Sequence, residues 1–302
     1  MSSLIPLTEY GPLDGGNFEY HWSGRGVDIH LLSDVGRKRR NNEDSCILCA
    51  PQKEDVASSH GVLFAVADGM GGASAGEYAS RMALQVLVRT YFNNDCESAP
   101  LALQEALQIA NGRLFEEAEL NPVYAGMGTT VCAAVLLGDW VYIAHVGDSR
   151  LYLLRERSGI HQVTLDHSLV EEQVRSGLIS PAEARNHSLK NLITRAVGIK
   201  ETVKVDLYAL HVQQGDTLLI CSDGLTNMIT DPEIASCLAN GNLVEGTRNM
   251  VERALMAGGT DNTTAITLRL NETPPRSIFQ DGAEEVRIAS SGFFGRLKRL
   301  FR

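Results

Sequence analysis

Apolar and polar positions follow two rhythms along this chain. Val62 to Ala67 are six apolar residues in succession, and Asp68-Gly69-Met70-Gly71-Gly72 follows at once. That pattern predicts a strand buried on both faces and ended by a glycine-rich turn. Further strands are predicted at 28–32, 45–50, 129–137, 140–146, 151–155, 203–210, 217–221 and 263–270, with Gly138-Asp139 as a hairpin turn. Helical spacing takes over at 75–91, through Met82, Ala83, Val86 and Leu87, and at 100–120, through Leu103, Ala106, Leu107, Ala110 and Leu114. Shorter helices are expected at 232–239 and 243–257. The polar stretch 53–60 reads as a loop. Residues 166–198 are more polar and read as an inserted flap, with a helix start at Ser180-Pro181-Ala182-Glu183. Hairpin strands, then paired helices, then more strands indicate α+β rather than a βαβ series.

The two ends differ from this body. Residues 1–26 read as an irregular N-terminal arm whose Tyr10, Phe18, Tyr20 and Trp22 pack in part on the body, and 27–271 as the folded domain. From 272 to 302 a Pro-, Glu- and Ser-rich linker leads to a basic tail. On a helix, Phe293, Phe294, Leu297, Leu300 and Phe301 would share one face, flanked by Arg296, Lys298, Arg299 and Arg302. Such a tail supports weak contact with an anionic membrane or a partner groove, or simply frays in solvent.

Charge and cysteine content narrow the classes. A net charge of −10 argues against nucleic-acid binding, which calls for a basic face. No basic-then-apolar leader is evident, and no apolar run approaches the roughly 20 residues that span a bilayer. The expectation is a cytoplasmic monomer, peripheral at the inner membrane surface at most. Six cysteines fit a reducing compartment. Cys46 and Cys49 form a CxxC inside a predicted strand with no second pair, which favours plain thiols over zinc or redox chemistry.

The chemistry lies in repeated aspartates. Asp68, Asp148 and Asp223 each end an apolar strand beside a glycine, Asp261 stands just before one, and Asp44 opens another. One such residue is a turn; several converging on one sheet edge make a dense negative site that needs cations between the charges. Oxygen ligands favour Mg²⁺ or Mn²⁺, and no histidine has zinc-type spacing to a second ligand. In the basic run just ahead of Asp44, Arg39 could grip two phosphate oxygens at once. Metals with an arginine point to phosphoryl chemistry. No cysteine has an arginine six places later, and no Asp-x-Asp is present, so neither a thiol nor an aspartyl-phosphate route is indicated.

Arg39 with Asn42-Glu43-Asp44, Asp68-Gly69-Met70-Gly71-Gly72, Gly128-Thr129-Thr130, Gly147-Asp148-Ser149-Arg150, Ser222-Asp223-Gly224 and Asp261-Asn262 occur in the order and approximate spacing of one family. Over about 28–270 the chain resembles the metal-dependent protein phosphatases, the protein phosphatase 2C family, in its bacterial form. The resemblance implies a four-layer α/β/β/α sandwich, two antiparallel sheets flanked by paired helices. It implies hydrolysis of phosphoserine and phosphothreonine in proteins, opposite a cognate Ser/Thr kinase. It also implies two Mn²⁺ or Mg²⁺ ions, with a possible third. Asp68 would bridge the two ions, the Gly69 carbonyl would bind the first, and Asp223 and Asp261 the second. Asp148 matches the position that helps hold the third, weaker ion in bacterial relatives, Glu43 and Asp44 match residues near metal-bound waters, and Arg39 matches the phosphate-binding arginine. Asn262, Ser149, Arg150, Thr129 and Thr130 would brace the site. Two cations sharing a water would make hydroxide available near neutrality for in-line attack on phosphorus.

Met70 stands where many eukaryotic relatives have His, so the general acid is open: a metal-bound water, His167 or His145. Two rival functions are a phosphoprotein-binding module without turnover and a two-metal nuclease or phosphodiesterase. The intact aspartates disfavour the first, and the acidic balance disfavours the second.

Overall fold

In the computed structural model of the chain, residues 7–94, 96–185, 187–239, 241–288 and 297–300 are described. The chain runs β1 (Leu7–Gly11), β2 (Phe18–Gly24), β3 (Val27–Asp34), β4 (Asp44–Ala50), α1 (Glu54–His60) and β5 (Val62–Met70). Helices α2 (Ala73–Phe92) and α3 (Ala99–Leu120) precede β6 (Gly128–Thr129), β7 (Val131–Leu137), β8 (Trp140–Val146), β9 (Arg150–Arg155) and β10 (Gly159–Gln162). The flap carries α4 (Leu169–Arg175) and α5 (Pro181–Arg185). Then come β11 (Asp206–His211), β12 (Thr217–Cys221), α6 (Asp223–Thr226), α7 (Asp231–Ala239), α8 (Leu243–Met256), β13 (Thr263–Leu270), β14 (Glu284–Ile288) and β15 (Leu297–Leu300).

One sheet has the order β1-β4-β5-β7-β8-β11-β14-β15, with β6 attached to β5; the other has β10-β9-β12-β13-β3-β2. Every pairing is antiparallel except β11 with β14. The apolar run of β5 serves two cores at once: Val62, Phe64 and Val66 point between the sheets, and Leu63, Ala65 and Ala67 point toward α2 and α3. Strands β4, β7 and β8 divide their side chains in the same way. On the far side, Leu218 and Ile220 of β12 face the inter-sheet core, while Leu219 and Cys221 pack under α7 and α8 with Ile234, Met250 and Val251. Three apolar layers between four layers of secondary structure follow from strands with a period of two and no polar face.

Several expectations need correcting. The arm is not irregular over its described part: β1 pairs with β4 and β2 with β3, so it supplies an edge strand to each sheet. Phe18, Tyr20 and Trp22 lie two apart and pack against the inter-sheet core, which makes their spacing a strand signal. Stretch 53–60 is helix α1 rather than a loop, because Val56 packs on the α2–α3 core and His60 meets Tyr91 and Phe92. The linker contains β14, which lies parallel to β11. At the tail, Leu297–Leu300 is a strand on β14 rather than helix, because it can extend an open sheet edge; the remainder of the 292–302 expectation lies outside the described residues. Both antiparallel sheets therefore hold, with one parallel pairing at the β14 edge.

Candidate metal centre

The site forms where both sheets end at the same rim. Backbone pairing of β4 with β5 sets Asp44 directly opposite Asp68. Three hydrogen bonds hold the Asp68 backbone: its N–H donates to Thr130 Oγ1 (3.0 Å), and its carbonyl accepts from Thr129 Oγ1 and Thr130 N–H (2.9 Å each). Gly69 lies where any side chain would collide with the carbonyls of Gly76 and Glu43, so α2 reaches β5 only because residue 69 is glycine. Asp223 opens the short helix α6, where the Ser222 hydroxyl donates to Asp44 Oδ2 (2.8 Å) and accepts from the Thr264 N–H (3.0 Å). One hydroxyl thereby joins the second sheet to the first.

Asn262 carries the fourth strand end. Its Oδ1 accepts from Glu43 N–H (2.8 Å), and its Nδ2 donates to the carbonyls of Val35 (2.8 Å) and Asn41 (2.9 Å). These bonds fasten the loop that bears Arg39 to the start of β13. Arg39 Nη2 donates to Asp261 Oδ2 at 2.9 Å, and Nη1 lies 3.9 Å from Glu43.

Arg39, Glu43, Asp68, Gly69, Asp148, Asp223 and Asp261 line one cleft of about 330 Å³, with Asn191 and Ile193 of the flap on its wall. Asp44 lies beneath it, fully buried, reached through Ser222. Burial raises Asp68 well above the carboxylate range, and Asp44, Asp223, Asp148 and Asp261 add to the effect. Burial likewise raises Asp148 well above that range, joined by Asp223 and Asp166. Asp44 is pushed up to about 7 by burial, against hydrogen bonds from Thr264 and Ser222. Asp223 is pushed up to about 6 by burial and by Asp261, and its Oδ1 is buried without a hydrogen-bond partner. Asp68, Asp148, Asp223 and Asp261, the four aspartates on the cleft wall, with one orphaned oxygen among them, form a hard, all-oxygen donor set suited to divalent cations. Among the described residues no three His, Cys, Asp or Glu side chains already surround a common point at ligand distance. The cleft gathers the donors, and closing around an ion needs rotation of their side chains.

Neither histidine considered as the general acid reaches the cleft. His145 is fully buried, donates Nε2–H to the Ser149 carbonyl (2.8 Å), and is pushed down to about 3 by burial. His167 is 2% exposed, with one nitrogen on the Gly147 N–H and the other on Asp206. Both rings serve the backbone around Asp148 instead. The sequence reading named Ser222 in a motif without seeing its bond to Asp44, and it missed Gly76. A serine at the residue before α6, and a small residue in the first turn of α2, were the available signals. Asn191 and Ile193 carried none, because only the returning end of the flap brings them to the cleft.

Known proteins share this sequence pattern and this fold. The profile of the family described as protein phosphatase 2C matches residues 37–256. Protein phosphatase PhpP of Streptococcus pneumoniae is 36% identical over 250 residues, which cover 82% of this chain and 98% of that protein. The crystal structure of the Mycobacterium tuberculosis serine/threonine phosphatase PstP/Ppp superposes with a TM-score of 0.72 at 34% identity, covering 82% of this chain and 99% of that one. A structure of the PstP catalytic domain in complex with two manganese ions matches with a TM-score of 0.69 at 34% identity, over 80% of this chain and 97% of that one. With the profile spanning most of the sandwich and relatives above 30% identity covering four-fifths of the sequence, this chain belongs to the protein phosphatase 2C family and is a serine/threonine protein phosphatase.

Proposed function

We propose that the chain dephosphorylates phosphoserine and phosphothreonine of proteins, in opposition to a Ser/Thr kinase, at the rim where β5, α6 and β13 meet. The reading assigns Asp68, the Gly69 carbonyl, Asp223 and Asp261 to two Mn²⁺ or Mg²⁺ ions, and Asp148 to a third. What carries it is the convergence of these carboxylates with Arg39 in one cleft. Bound there, the cations supply Lewis acidity and water activation near neutral pH.

The chain's own groups do the rest. Asp223 Oδ1 is free of hydrogen bonds and available as a donor. Arg39, 46% exposed at its side chain, leans over the mouth beside Asp261 and can turn its fork to the equatorial oxygens of a phosphoryl group. Asp44, held by Ser222, keeps a second carboxylate behind Asp68 that can take or return a proton without itself meeting the substrate. Among the described residues no cysteine lines the cleft: Cys46, Cys132 and Cys221 are buried, and burial pushes their thiols up. The reading therefore takes water, rather than a thiol, as the attacking group.

The test is release of inorganic phosphate from a phosphoserine and a phosphothreonine peptide by the full chain, with Mn²⁺ and with chelator. Turnover is expected only with metal. No phosphate release with Mn²⁺ demonstrably bound would instead make this a phosphoprotein-binding module.

A further inference from the structure

Asp148 enters the cleft from a loop that two buried histidines grip from both sides. On the N-terminal side, residue 167 holds both polar groups of Gly147: the Gly147 N–H donates to His167 Nδ1 (2.9 Å), and the Gly147 carbonyl accepts from the His167 N–H (2.8 Å). On the C-terminal side, the Ser149 carbonyl accepts from His145 Nε2 (2.8 Å), and the Ser149 hydroxyl pairs with Thr130 Oγ1 (2.7 Å). The two rings are 4.8 Å apart. Gly147 itself has φ +112°, and a Cβ there would lie 2.5 Å from Thr130 Cβ, so the loop has no slack on that side.

The tautomer of His167 follows from its partners. An Nδ1 that accepts a backbone N–H carries no proton, so the proton sits on Nε2 and points at Asp206 Oδ2 (3.1 Å). Arg195 Nη1 lies 2.9 Å from the same Nε2, but its donation goes to Asp206 Oδ1 (2.7 Å) and the Lys204 carbonyl (3.2 Å). Asp206 therefore keeps Arg195 from claiming the ring nitrogen. Both ends of the flap fasten here as well: the Thr194 N–H donates to the His167 carbonyl (2.7 Å), and Leu169 N–H donates to the Leu192 carbonyl (2.9 Å).

We propose that His167 is a positioning residue: with Asp206 fixing its tautomer, it sets the backbone from which the Asp148 carboxylate reaches a cation, and so ties that ligand to the root of the flap. This rests on the reading that Asp148 binds metal. Second-layer partners that orient a ligand commonly change metal affinity about 10–100-fold when removed. Here the effect should fall on the ion at Asp148 and spare those at Asp68, Asp223 and Asp261, whose backbones are held by other bonds.

The experiment is calorimetric titration of the full chain with Mn²⁺, comparing wild type with Asp148→Ala, His167→Ala, His167→Asn and Asp206→Ala. Asp148→Ala should abolish the weakest Mn²⁺ event. His167→Ala should weaken the same event at least tenfold and leave the tighter events within twofold. Asn places an amide oxygen where Nδ1 stands, so His167→Asn should restore most of the loss. Asp206→Ala frees Arg195 to donate to Nε2, which forces the wrong tautomer and should weaken that event as well. If His167→Ala does not fold, the Asp206→Ala isotherm decides. An unchanged weak event in the folded His167 variant, or equal loss of every event, overturns the proposal. Should Asp148→Ala leave the isotherm as in wild type, the metal reading of Asp148 fails first and takes the proposal with it.

Discussion

At the scale of single residues, the site stores repulsion that a cation would relieve. Asp223 is the clearest case, half-buried among other carboxylates with its Oδ1 enclosed and without a hydrogen-bond partner, while Oδ2 accepts from Asn227 Nδ2 (2.9 Å). Asp223→Asn should therefore act with opposite signs on two observables. It should abolish Mn²⁺-dependent turnover, and it should stabilise the metal-free protein at pH 7 by about 1–3 kcal/mol, since charge on a group pushed up to about 6 is disfavoured there. Chemical denaturation in chelator measures the second effect. A metal-free variant less stable than wild type would show the carboxylate to be structural.

His145 gives the opposite pH dependence. Its folded value, pushed down to about 3, lies below the ordinary 6.5, so the unfolded chain binds the extra proton between those values. Stability from keeping the ring neutral is thus complete above pH 6.5 and drains away as pH falls toward 3, at about 1.4 kcal/mol per pH unit. Nearby carboxylates slope the other way, so the difference between wild type and His145→Gln is the informative quantity. Gln keeps a donor for the Ser149 carbonyl, and the difference should move in favour of Gln on acidification.

Among the elements, β5 and α2 form the joint that the site depends on. Gly69 and Gly76 allow strand and helix backbones to meet, and the Gly69 N–H donates to the Glu43 carbonyl (3.2 Å), which also accepts from Ser80 Oγ (2.6 Å). Gly69→Ala should destabilise the chain by about 1–3 kcal/mol, as overpacking against rigid carbonyls does, and lower turnover further than the stability loss explains. Thermal unfolding together with kcat at saturating Mn²⁺ separates the two effects. Unbroken apolar runs made the central strands legible, and β8, β12 and β13 form over the residues expected. The Ser180–Glu183 start was equally plain: Ser180 N–H and Oγ both donate to Glu183 Oε2 (2.7 Å). Helix α1 was not legible, because its seven residues form a helix only against Tyr91 and Phe92. Nor was β14, which needs the open edge of β11 to become a strand at all.

For the molecule as a whole, the segment after β13 acts as a strap across the first sheet. Ser277 Oγ donates to the Leu137 carbonyl (3.0 Å), Phe279 packs against Trp140, and the Ala99 N–H at the start of α3 donates to Gln280 Oε1 (2.6 Å). None of these residues lines the aspartate cleft. Truncation after Asn271 should cost about 3 kcal/mol, or about 5 °C in Tm for a chain of this size, with kcat within twofold of the full chain. A large loss of kcat at a temperature where the truncated chain stays folded would show that the strap reaches the site.

Sequence alone pointed to an α+β body with aspartates at its strand ends, and the family resemblance implied the four layers. A strand apolar on both faces must be covered on both, and aspartates at the ends of such strands, with nothing apolar to bury, must meet water or cations. Only the tertiary structure decided which polar side chains meet. Ser222 on Asp44, Asn262 on the Arg39 loop, and His167 on Gly147 are bonds between residues 20 to 221 positions apart, made by sheet register and flap closure. Local pattern carries no record of such pairings, because a hydroxyl or an imidazole reads the same in sequence whether it faces solvent or the loop that carries Asp148.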